Sequence, residues 1–278
     1  MANSRKRKAP SSQPRAGSIR VRTPLLVGGL VLVAVVVFGA VVIALSGSGG
    51  SGSSAANDGQ QRAVIIDQLE LTQPNPEFVS QARDILSRGG YEVDYVNGDA
   101  VTVDFYRTLP SRQYDLVLFR VHAGITTEVD AETGEKTGTE YVSLFTGEPY
   151  DETKYPAEQM NRLGKARYEN GEGDPLFGIG PEFVAKSMEG DFGDAVVVMM
   201  GCDGLRSQTT AEAFLARGAS GFVSWTKPVS AKHTDDTTVA LLQRLVIDDI
   251  ELQQAVEATA AEVGPDPSFD AELRILKG

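Results

Sequence analysis

The sequence predicts an α/β fold, a mostly parallel central sheet flanked by helices and preceded by one transmembrane helix. Three observations lead there. From Ala63 onward short apolar runs alternate with helix-patterned segments, an order that implies parallel strands joined by right-handed crossovers with helices on the sheet faces. One run, Ala195-Val-Val-Val-Met-Met-Gly-Cys-Asp-Gly204, reads as a strand covered on both faces. Upstream, Leu25–Leu45 is 21 residues without a charge, which at about 1.5 Å per residue spans roughly 30 Å of hydrocarbon.

Charge orients that span. Residues 1–23 carry seven basic side chains (Arg5, Lys6, Arg7, Lys8, Arg15, Arg20 and Arg22) and no acid. The positive-inside rule leaves this tail in the cytoplasm, residues 24–45 in the bilayer as a single-pass anchor, and the body outside the cytoplasm. A cleaved signal peptide ending at Ala44-Leu-Ser46 is the alternative, but signal-peptide apolar cores usually run about 7 to 15 residues, and this one is longer. Residues 46–61 form a Gly/Ser-rich flexible linker. The folded domain then occupies 62–278. Beyond residue 23 the chain carries 19 basic against 38 acidic residues, a net charge of -19. Such a body repels phosphate backbones, which excludes nucleic acid as a partner.

Within the domain, Ala63–Asp67 is the first strand. Asn75 then caps a helix with Pro76 in its first turn, apolar residues at 78, 79, 82, 85 and 86, and Gly89-Gly90 at its end. Tyr91–Val96 is the second strand, Val101–Leu109 a short helix closed by Pro110, and Leu116–Val121 the third strand, running into His122-Ala-Gly124. An insertion at about 125–180 breaks the alternation. It contains a hairpin, Thr126–Val129 with Tyr141–Phe145, and then a long loop from Gly147 to Gly180 holding at most one helix. Pro181–Met188 is a helix leading into the Cys202 strand. A helix over Thr210–Arg217, a strand Gly221–Trp225, helices over Asp235–Val246 and Leu252–Val263, and an edge strand within Phe269–Leu276 complete the series.

Two strand ends carry groups suited to covalent catalysis, His122 and Cys202. An imidazole can take the thiol proton, and the thiolate then attacks a carbonyl. Backbone amides at the strand ends, with the helix after Cys202, are placed to stabilise a thiolate and an oxyanion. The small residues Ala123, Gly124, Gly201 and Gly204 let a substrate backbone approach. A lone cysteine is, however, more often a small buried hydrophobe. His233, in Lys232-His-Thr-Asp235, is placed on a surface loop. No cofactor or metal set is expected, since Glu128, Asp130, Glu132 and Glu135 do not follow calcium-loop spacing and read as a solvated face.

At these residues the chain resembles the caspase-like (clan CD) cysteine peptidases, most of all their CHAT and separase-like members. The likeness runs from about Ala63 to Val263. It rests on a strand ending in His-Ala-Gly (Val117–Gly124), a strand ending in Gly-Cys (Val196–Asp203), Ala211-Glu-Ala-Phe-Leu-Ala-Arg-Gly-Ala219, Phe222-Val-Ser-Trp225 and Asp235-Asp-Thr-Thr-Val-Ala-Leu-Leu242. The resemblance implies a caspase-like sandwich, His122 as the catalytic histidine, Cys202 as the nucleophile, and an oxyanion hole from the backbone of Ala123, Gly124 and Cys202. It puts Ser224 and Trp225 at the substrate cleft, although a half-buried aromatic at a sheet edge is an equal reading of Trp225. Asp203 either binds a basic side chain of the substrate or caps the following helix, and the cap is the simpler role. Many relatives place Gly directly after the histidine, where this chain has Ala123.

The expectation is therefore a membrane-anchored, extracytoplasmic cysteine endopeptidase with a Cys202/His122 dyad, acting on a peptide or protein substrate. One rival is an inactive relative that binds peptides or partners through the same cleft. Another is an amidotransferase-like hydrolase, suggested by Gly201-Cys-Asp-Gly204, in which a histidine after the cysteine, His233, is the base.

Overall fold

The computed structural model describes residues 59–278 apart from 131, 132, 134, 160, 161, 169, 170 and 172. The anchor expected at 24–45, with its basic tail and most of the linker, lies outside the described residues. Among those described, no helix is long and apolar enough to cross a membrane.

The central sheet forms from the apolar runs. Its strands are β1 (Arg62–Asp67), β2 (Glu92–Asn97), β3 (Leu116–Arg120), β8 (Val196–Met199), β9 (Gly221–Trp225) and β10 (Leu273–Lys277), in the order β10-β9-β8-β3-β1-β2. All neighbours are parallel except β10, which runs antiparallel to β9. Side chains alternate between two cores, as the period of two requires. Val64, Ile66, Val117, Phe119, Val197 and Met199 face one layer, and Ile65, Leu118, Val198 and Val223 the other. The first layer is covered by α2 (Val103–Thr108), α3 (Pro181–Lys186) and α4 (Thr209–Ala216), and the second by α1 (Pro76–Arg88), α5 (Ala231–Leu242) and α6 (Leu252–Val263). The α1 start follows its sequence signal: Asn75 Oδ1 accepts from the Phe78 amide at 3.1 Å, with Pro76 in the first turn.

The chain moves outward from β1 to β2 and returns past β1 to β3. The order reverses between β1 and β3, the kind of position at which open α/β sheets bind ligands beyond the carboxyl ends of their strands. Residues following β1, β3 and β8 meet at this edge.

The insertion is more ordered than its sequence suggests. β4 (Ala123–Val129) and β5 (Lys136–Pro149) form the hairpin, but the stretch read as a long loop supplies β6 (Leu163–Ala166) and β7 (Leu176–Ile179). Together they make a four-stranded sheet in the order β4-β5-β7-β6. Phe177 and Ile179 are buried in it, and Arg107, bonded twice to Glu158 at 2.6 and 2.9 Å, ties the intervening turn to α2. Two further boundaries differ. The helix expected from Asp235 begins at Ala231 and passes into a π turn at Gln243–Ile247. The last strand begins only at Leu273, leaving Phe269 exposed.

Candidate active site

His122 and Cys202 follow the carboxyl ends of two paired strands, β3 and β8. Phe119 pairs with Met199 across β3 and β8, and the Met200 amide continues the ladder to the Phe119 carbonyl at 2.8 Å. One residue further, the Gly201 α-carbon lies so close to the Val121 carbonyl that a β-carbon has no room. His122 and Cys202 are the next residues along the segments that leave β3 and β8. Gly201 is thus required by strand packing rather than by substrate approach. Gly204 is too, because a β-carbon there would strike the Ser224 hydroxyl and the Met199 methyl.

His122 is held on every side. Its amide donates to Gln68 Oε1 at 3.0 Å, and its carbonyl accepts from the Phe145 amide at 2.9 Å. Its ring nitrogen Nε2 is 2.8 Å from Thr72 Oγ1. The ring lies edge-on to Tyr168 at 5.0 Å and tilted to Phe145 at 5.9 Å. Gln68 Nε2 donates to the Tyr168 hydroxyl at 3.0 Å, so one buried amide joins the histidine backbone to the aromatic that covers its ring. Burial, and after it the nearby Arg120 charge, lowers the imidazole to about 4. The ring is therefore neutral at neutral pH, as a proton acceptor must be.

Cys202 is half-buried. Its sulfur accepts from the Val229 amide at 3.5 Å, and the thiol reaches the Val229 carbonyl at 3.7 Å. Asp203 is in the left-handed region (φ 60), with its amide bonded to the Lys227 carbonyl at 3.1 Å. Burial pushes its carboxyl above the usual range, opposed by Arg206 at 3.7 Å. Asp203 does not cap a helix, because α4 begins only at Thr209.

The predicted oxyanion donors divide. Ala123 and Gly124 open the edge strand β4, opposite Leu144 and Ser143. Bonding alternates along an antiparallel ladder, and the His122–Phe145 bond fixes its phase. The Gly124 amide therefore turns toward β5 and the Ala123 amide toward the open edge.

Ser224 and Trp225 do not line a cleft. Both are buried. Ser224 Oγ donates to the Met199 carbonyl at 2.6 Å. Trp225 Nε1 donates to Thr234 Oγ1 at 2.9 Å, and that hydroxyl donates to the Met200 carbonyl at 2.9 Å. They fasten β9 and α5 to the strand that carries Cys202. Nor is His233 on a surface loop: it sits in the first turns of α5, half-buried, with its ring 5.2 Å from Trp225.

Gln68, Thr72, Tyr168 and Val229 were not foreseen in the sequence. For the first two a signal existed, since Gln68-Leu-Glu-Leu-Thr72 puts polar groups at the carboxyl end of an apolar strand. Among the described residues, no group of three or more His, Cys, Asp or Glu side chains converges as a metal site would require.

No protein-family model and no curated protein matches the chain. Among solved structures it is similar to the Arg-specific cysteine proteinase gingipain R, at a TM-score of 0.39 and 12% identity, covering 73% of this chain and 42% of that one. The chain thus spans less than half the length of that proteinase structure.

Proposed function

We propose that the protein is a cysteine endopeptidase of caspase-like fold, held to the membrane by residues 24–45 with its catalytic domain outside the cytoplasm. The observation that carries this reading is the emergence of His122 and Cys202 beyond the carboxyl ends of the adjacent parallel strands β3 and β8, of which β3 borders the point where the strand order reverses. His122, neutral at pH 7, takes the Cys202 proton. The sulfur adds to the scissile carbonyl, whose π electrons move to oxygen. The Ala123 amide, with that of Cys202, faces the oxyanion. Collapse expels the amine, which receives the proton from His122, and water hydrolyses the thioester by the same groups in reverse.

A peptide-binding module is the second reading. It is favoured by one observation, that His122 Nε2 and the Cys202 sulfur are bonded to Thr72 and Val229. The amidotransferase-like reading is weakened by the turn between Cys202 and Thr209, since a nucleophile elbow passes from strand directly into helix.

Labelling of the full chain with a panel of peptidyl thiol-directed electrophiles separates them. Cys202→Ala and His122→Ala are expected to abolish labelling, and His233→Ala to keep it. Loss in His233→Ala with retention in His122→Ala moves the base to His233. No reaction with any member of the panel leaves the binding module.

A further inference from the structure

Two residues before His122, Arg120 carries a guanidinium that is 1% exposed, an unusual place for a charge. Its Nη1 donates to Asp67 Oδ1 at 2.8 Å, while Nε and Nη2 grip both oxygens of Asp235 at 2.8 and 2.9 Å. Nη2 also donates to the Gln73 carbonyl at 2.9 Å. The two carboxylates are nearly as buried, and each accepts three hydrogen bonds in all. Asp67 accepts from the Glu70 amide and the Tyr95 hydroxyl, both at 3.1 Å, and Asp235 accepts from Asn75 Nδ2 at 2.8 Å. A buried cluster is tolerated only when satisfied in this way.

The partners have a common feature. Asp67 ends β1, Glu70 and Gln73 lie in the turn that follows, and Asn75 caps α1. Apart from Tyr95 on β2, every anchor on that side belongs to the segment Asp67–Asn75, the one that delivers Gln68 to the His122 amide and Thr72 to its ring. Residues 71–74 are exposed, and the Thr72 and Gln73 amides both bond the Leu69 carbonyl, at 3.0 and 2.6 Å. The Arg120 bond to the Gln73 carbonyl adds the tie that joins this turn to β3.

We propose that Arg120 is the positioning residue for His122: by joining Asp67, Asp235 and the Gln73 carbonyl it locks the turn after β1, and Thr72 then holds the imidazole in one orientation. The inference rests on His122 being the base, but its geometry is independent of whether catalysis occurs. The charge acts on the same ring, since Arg120 disfavours the imidazolium. The other titratable group packed on the ring is Tyr168, whose hydroxyl is turned to Gln68.

With only two histidines in the chain, the full-length protein labelled with 15N-histidine gives a direct test. His233→Gln assigns the ring signals. In the unaltered chain His122 is expected as a single tautomer with a depressed titration midpoint. Arg120→Lys, and the neutral triple variant Arg120→Leu with Asp67→Asn and Asp235→Asn, are expected to mix the tautomers and raise the midpoint toward that of an ordinary imidazole, with the His233 signals unmoved. For cleavage, kcat falls by about 10- to 100-fold with KM little changed, the cost of a misplaced group. Unchanged His122 signals in either folded variant overturn the proposal. Should both fail to fold, Thr72→Val at an exposed position decides, since a retained single tautomer there overturns it equally. An ordered, Arg120-dependent imidazole in a chain that never reacts with a peptidyl electrophile supports the positioning role and removes only the peptidase reading.

Discussion

The Val229 amide donates to the Cys202 sulfur at 3.5 Å across a separation of 27 residues. A backbone donor aimed at sulfur stabilises negative charge there, and a hydrogen bond to a charged group is worth ~1.5 kcal/mol or more, about tenfold in rate. Val229→Pro deletes the N–H with little change in volume. Alkylation of Cys202 by iodoacetamide at neutral pH is expected to slow by about tenfold, with the circular dichroism spectrum unchanged. An unaltered rate in the folded variant would remove the amide from the account of the nucleophile.

Acid acts through His122. Burial, then Arg120, lowers its ring to about 4, whereas an imidazole in an unfolded chain titrates near about 6.5. Between those values the unfolded state binds a proton that the folded state refuses, so stability is complete above the upper value and declines as pH falls through the window. Urea titrations at neutral pH and near pH 4.5 are expected to differ by on the order of 1–2 kcal/mol from this ring, discounted for its partial exposure. His122→Gln removes that share of the loss. By the same reasoning the acid limb of kcat/KM lies near 4, and a limb at the ordinary imidazole value would show the ring to be solvated.

Gly204 has no space for a β-carbon between Ser224 and Met199. Gly204→Ala is expected to destabilise the domain by about 1–3 kcal/mol in chemical denaturation, the usual cost of overpacking. Gly59→Ala is the control at a site with nothing within 4 Å of a β-carbon, where only the positive φ of 82 is strained. Equal losses at the two positions would show that backbone conformation, and not crowding beside Cys202, governs the first.

The single tryptophan reports on the same place. Trp225 is 1% exposed and bonded to Thr234, so its emission is expected to be blue-shifted and poorly quenched by acrylamide. Trp225→Phe leaves Thr234 without that donor and costs about 1–2 kcal/mol. Because the indole faces inward, KM for a peptide is expected to stay within about twofold, the effect of a residue with no direct substrate contact. A large rise in KM with unchanged stability would return Trp225 to the cleft.

The sequence makes β1, β3, β8 and β9 plain because each lies in a sheet covered on both faces, and continuous apolar runs follow from that. It also places His122 and Cys202 just beyond strand ends, since strand ends are visible wherever strands are. The strands Leu163–Ala166 and Leu176–Ile179 are hidden. Each is four residues long with a central glycine, and Gly164 pairs with Gly178, so what makes them strands is the neighbour each pairs with. The contacts of Gln68 and Thr72 with His122 span 54 and 50 residues, beyond any local pattern. Trp225 reads equally as cleft or core until Thr234, nine residues on, supplies its partner.

The second sheet enters the chain between the histidine strand and the cysteine strand, yet those strands are hydrogen-bonded to each other. Everything from Ala123 to Ala195 is thus a detour whose two ends are pinned to one ladder. Doubling the length of such a closed excursion costs only about 0.6 kcal/mol in chain entropy. The register of the two strand ends is therefore independent of how long the outer turns of the detour are, while Phe145, Tyr168 and the core residues Phe183 and Val184 tie its inner parts to His122 and the central sheet.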